Sequence, residues 1–114
     1  DGSTSRDFCY IDNVVQANIL AACATSNAES AVYNIAFGEA IDLNQLFSII
    51  RNELAKLDIL YNRTPVNDVF RDGDVLHSLA SIDKAREEFG YSPNFRVYAG
   101  LSIWAEWYVA QSKP

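Results

Sequence analysis

Behind Asp42, the apolar residues Leu43, Leu46, Phe47, Ile50, Leu54 and Leu57 recur every three or four positions, which is one face of an α-helix. Asp42 and Gln45 stand three apart, so each side chain can satisfy the other's free backbone N–H at the helix start. A second apolar run (Val14, Val15, Ala17, Ile19, Leu20, Ala21, Ala22, Cys23) follows Asp12 as N-cap and predicts a helix over about residues 13–25. Being apolar nearly all round, it is expected to be central. After a loop at "TSNAES" (25–30), "AVYNIAFG" (31–38) has the β-branched and aromatic bias of a strand, ended by Gly38. Ser81 is expected to cap a short helix running to Phe89, with Gly90 as its stop. A last helix over about 97–111 would bury Val97, Leu101, Trp104 and Tyr108. Residues 58–80 contain Pro65 and no period, and read as extended segments and turns.

The pattern predicts an α+β domain, helix-rich, with about four helices and a few short strands. No repeat, low-complexity run or linker divides it, so residues 1–114 form one domain. A composition of 49% hydrophobic and 21% charged residues suits a globular core. The net charge of −6 speaks against nucleic acid as a partner, because neutralising a phosphate backbone needs a basic face. No apolar run is long enough to span a membrane, and no leader pattern opens the sequence, so no membrane partner and a cytoplasmic setting are expected. Cys9 and Cys23 make no disulfide framework, and with the single His77 they suggest no metal site.

Catalytic signatures are missing. The glycines at 2, 38, 73, 90 and 100 cannot form G-x-G-x-x-G, and no tyrosine has a lysine four residues later. Two arginine-centred segments remain, "SRDFCYID" (5–12) and "FRDGDVLHS" (70–78). The guanidinium fork suits bidentate contact with phosphate, and an aspartate such as Asp74 can accept from a ribose diol. Two arginines converging on a diphosphate would let an acidic protein hold an acidic ligand. On the residues alone a surface role, with Arg6 and Arg71 paired to Asp7 and Asp72, is the simpler reading.

At these residues the chain resembles a known family. "DGSTSRDFCYIDNVVQANILAA", "VYNIAFGEAIDLNQLF", "FRDGDVLHSLASIDKAREEFGYSP" and "GLSIWAEWYVAQ" match, in order and spacing, the C-terminal, substrate-binding part of extended short-chain dehydrogenase/reductases. The nearest branch is that of NAD-dependent 4-epimerases acting on UDP-N-acetylglucosamine or its uronic acid. The resemblance implies the UDP-sugar-binding part of such an epimerase, cut within a hairpin, so that a strand at Asp7–Ile11 would lack its partner. An N-terminal Rossmann domain would carry NAD and the Tyr-x-x-x-Lys pair, leaving no cofactor and no catalytic residue in this chain. Arg6 and Arg71 would contact the diphosphate, Asp74 the uridine ribose, and Ser78 the sugar pocket, where a small residue leaves room for an N-acetyl group. Asn13 stands where many members have aspartate, His77 is expected to be structural, and Trp104 and Trp107 core and rim. The exposed strand edge and domain face imply a homo-oligomer. The rivals are a stand-alone non-catalytic domain binding a nucleotide sugar or a protein, and the same part of a nucleotide-sugar dehydratase or decarboxylase.

Overall fold

The structure, a computed structural model, describes residues 2–24 and 31–112. Its elements in order are β1 (Ser5–Arg6), α1 (Ile11–Cys23), β2 (Ile41–Asp42), α2 (Leu43–Lys56), α3 (Asp83–Phe89) and α4 (Val97–Ser112). β1 and β2 are antiparallel, with Ser5 opposite Asp42 and Arg6 opposite Ile41. On its other side Ser5 forms a parallel bridge with His77. The expected strand at Asp7–Ile11 is therefore displaced to Ser5–Arg6, where β2 supplies the partner. The expected loop at 25–30 lies outside the described residues.

α2 has the expected start. Asp42 accepts from the Gln45 N–H at 2.8 Å, and the Gln45 side chain accepts from the Asp42 N–H at 3.2 Å. α2 packs on α4, with Glu53 between them taking a 2.6 Å hydrogen bond from Lys56. That bond, together with one from Ser102, holds the Glu53 carboxyl below its ordinary range. In α4 the residues that go inside are the small ones, Gly100 and Ala105. A Cβ at Gly100 would clash with the Tyr10 side chain, so glycine lets the helix close on it. The expected burial of Trp104 and Tyr108 is overturned: both stay exposed and stack on each other, with ring centroids 5.2 Å apart. α3 ends at Gly90 as expected, but it starts after Ile82, and Ser81 hydrogen-bonds Asp83 from just outside the helix.

The core gathers Ala17, Ala36, Ile82, Ala85 and Tyr91, with Tyr33, Ile35, Ala80 and Phe89 packed around it. The strand expected over residues 31–38 does not form: the segment passes through this core with bends at Ala36 and Gly38 and joins no ladder. Side chains take up their backbone groups instead. Asp7 accepts from the Phe37 N–H (3.0 Å) and the Gly38 N–H (2.9 Å), and the Tyr91 hydroxyl donates to the Ala36 carbonyl (2.8 Å). α1 starts two residues before the expected position, with Tyr10 as N-cap and Asp12 inside the first turn. It is not central: Asn13 and Ala17 face inward, while Ile11, Val15 and Ile19 are 60%, 45% and 59% exposed. The accessible surface of 8196 Å² exceeds the about 6,200 Å² typical of a compact monomer of this mass, in keeping with these uncovered apolar residues.

Candidate functional site

Two segments far apart in sequence meet at Ser5. Its N–H donates to the Leu76 carbonyl (3.0 Å), and its carbonyl accepts from the Ser78 N–H (3.1 Å). Its hydroxyl lies 2.9 Å from His77 Nδ1. Arg6, the next residue, donates through Nη1 to the carbonyls of Ser5 (2.8 Å) and Leu76 (3.4 Å). Arg6 is thus tied to the stretch that carries the other predicted residues. A guanidinium has five N–H donors, so much of this fork stays available.

Arg71 and Asp74 close one turn, the Asp74 N–H donating to the Arg71 carbonyl at 3.1 Å. Gly73 takes φ 87° within it, a left-handed conformation that a side chain would strain. The turn sets both residues on the wall of a groove of about 630 Å³, opposite Thr4 and Asn44 and beside Phe70. Ser78 is exposed and lies outside that wall, two residues beyond Leu76, which does line it. The groove wall thus carries Arg71, Asp74 and Leu76, while Arg6 and Ser78 lie outside it, Arg6 bonded to the Leu76 carbonyl and Ser78 to the Ser5 carbonyl.

The start of α2 also borders the groove, but its N–H groups are engaged: Leu43 donates to the Gly2 and Thr4 carbonyls, and Asn44 to Gly2. An anion there would have to rely on arginine. Among the described residues the ion pairs are Lys56–Glu53, Arg86–Asp83 and Arg96–Glu39, so Arg6 and Arg71 are not paired with Asp7 and Asp72. A second cavity of about 400 Å³ lies between α2 and α4, among Phe8, Tyr10, Leu46, Ile50, Leu101 and Trp104. It is apolar and offers no charge to a phosphate. No group of residues able to hold a metal occurs among the described ones, and none of their helices is long and apolar enough to cross a membrane.

No family model matches the chain. Individual proteins do. The UDP-glucose 4-epimerase of Thermotoga maritima, solved with UDP-glucose, superposes with a TM-score of 0.85 at 32% identity, covering 99% of this chain and 34% of that one. The UDP-N-acetylglucosamine 4-epimerase of Methanobrevibacter ruminantium, solved with UDP-N-acetylmuramic acid, gives 0.75 at 31% identity over 97% of this chain and 33% of that one. UDP-glucuronate 4-epimerase 2 of Arabidopsis thaliana is 30% identical over an alignment of 124 positions, gaps included, that covers 98% of this chain and 27% of that protein. The chain matches the C-terminal part of NAD-dependent UDP-sugar 4-epimerases. It spans only 27–34% of the length of these relatives.

The sequence of this chain alone does not show which residues hold the site's surroundings in place. Asp7 looked like a partner for Arg6, whereas its carboxylate anchors residues 37–38. Asn13 is 1% exposed; its amide donates to the Phe95 carbonyl (2.7 Å) and accepts from the N–H groups of Asn94 (2.9 Å) and Phe95 (3.0 Å). An aspartate there would keep the acceptor and lose the donor, so asparagine is explained by the fold of this chain. Tyr91 is fully buried, and burial, then the nearby Cys9 thiol, pushes its phenol well above the ordinary tyrosine range. Burial likewise pushes the Cys9 thiol up, which makes it a poor nucleophile.

Proposed function

We propose that this chain is the UDP-sugar-binding part of an NAD-dependent nucleotide-sugar 4-epimerase. The observation that carries the reading is the Arg71–Asp74 turn on the groove wall, the Arg71 guanidinium in no ion pair among the described residues, in a chain superposed almost end to end on an epimerase solved with UDP-glucose. In this reading Arg71 and Arg6 grip the diphosphate, and the Asp74 carboxylate accepts from the ribose diol. Ser78, beyond Leu76, borders the sugar. Holding the nucleotide handle positions the reacting hexose at a distance from the contacts themselves.

NAD is present with UDP-glucuronic acid in the solved structure of a related protein, MoeE5. It supplies hydride chemistry when bound. The described residues do not fit it: their one sheet is the antiparallel β1–β2 pair, and no glycine turn runs from a strand into a helix to cradle a pyrophosphate. NAD would be held by a Rossmann domain elsewhere in the whole protein, and the chain described here would bind substrate.

Titration with UDP-glucose tests the reading. Arg71→Ala should weaken binding by about 1.5–3 kcal/mol, the worth of a hydrogen bond to a charged group. Arg71→Lys should recover only part of this, since a point charge lacks the fork. An alanine variant that binds like the wild type would sink the assignment of Arg71.

A further inference from the structure

Ser5 and His77 are absent from the binding roles above, yet the geometry of the site turns on them. They lie 72 residues apart and are joined in two ways: by the parallel bridge, made of two backbone hydrogen bonds of 3.0 and 3.1 Å, and by the 2.9 Å contact between Ser5 Oγ and His77 Nδ1. Each is the immediate neighbour of a proposed binding residue, Ser5 of Arg6 and His77 of Ser78. The bridge needs that help. Residues 58–79 are exposed throughout, so no packed core pins the segment, and two water-exposed backbone bonds break readily. A side-chain bond across the same junction opposes that opening. It also keeps the Leu76 carbonyl where Arg6 Nη1 can reach it.

We propose that Ser5 and His77 form a positioning clip that holds Arg6 in register with the Arg71–Asp74 turn, so that one UDP-sugar meets both arginines. This rests on the reading of the site given above. The clip acts through its neighbours and touches no substrate. Its chemistry specifies which replacement works. An asparagine side chain places its amide where His77 has Nδ1 and can still bond the serine hydroxyl, whereas phenylalanine keeps the ring and loses the bond.

The experiment uses the full 114-residue chain, with amide hydrogen exchange at Ser5 and Ser78 read beside UDP-glucose titration. His77→Phe should speed exchange at both amides and weaken UDP-glucose about tenfold, with the unfolding midpoint moved by no more than about 3 °C. His77→Asn should keep both properties near wild type. Ser5→Ala combined with His77→Phe should be no worse than either alone, because both remove one bond. Unchanged exchange in His77→Phe overturns the clip even if the chain binds no UDP-glucose at all, so its failure is separable from failure of the site. Faster exchange with undiminished affinity overturns the positioning role, as does His77→Asn behaving like His77→Phe.

Discussion

The two sides of the molecule are held together differently. Around Tyr91 the chain closes on itself: residue 91 has no exposed surface, its hydroxyl reaches the Ala36 carbonyl, and Asp7 and Asn13 tie three separate segments together. Along residues 58–79 nothing is buried, and Val66 and Val69 stand 96% and 83% exposed. That segment keeps its place through a few hydrogen bonds, from Ser5 and Arg6 to residues 76–78, and the packing of Tyr61 on Phe47. Rigidity is thus concentrated where no ligand is proposed, and the wall that would meet the nucleotide is the weakly held one. A region fixed by few internal contacts can be drawn onto a ligand, at the cost of the entropy lost in ordering it.

This contrast can be broken, and the most damaging substitution is in the core. Tyr91→Ala should destabilise the chain by about 3–5 kcal/mol, as for other large aromatics removed from a packed interior, measured by denaturant unfolding. Tyr91 also sets an alkaline limit. Its phenol is raised in the folded state above the ordinary 10.0, so its contribution is complete below about pH 10 and declines as pH rises beyond it. Tyr91→Phe should flatten that decline; an alkaline profile identical to wild type would mean that Tyr91 does not carry it.

A middle-sized effect belongs to the α2 start. Asp42→Ala removes one acceptor of the reciprocal cap and should cost about 1 kcal/mol. The smallest effect sharpens the comparison from the other side. Val69→Ser, in the exposed wall, should change folding stability by no more than about 0.5 kcal/mol. A loss of several kcal/mol there would show the wall to be part of the folding core and erase the distinction between the two regions.

Local chemistry made α2, its capping box, the Gly90 stop and the four-helix content legible in the sequence, because each depends on residues within one or two turns of one another. The Arg71–Asp74 turn was legible for the same reason, as Gly73 lies within it. Three things depended on distant partners and only the tertiary structure decided them. Residues 31–38 have strand composition, but Asp7 and Tyr91 reach their backbone groups before any strand can. α1 is apolar on all sides, so periodicity could not choose a face, and the bonds from Asn13 to residues 94–95 chose it. The pairing of Ser5 with His77 across 72 residues sets Arg6 against the Leu76 carbonyl, and no short-range pattern encodes a contact of that span. Sequence determines what neighbouring residues can settle among themselves; where backbone groups and helix faces find partners far along the chain, the folded packing settles it.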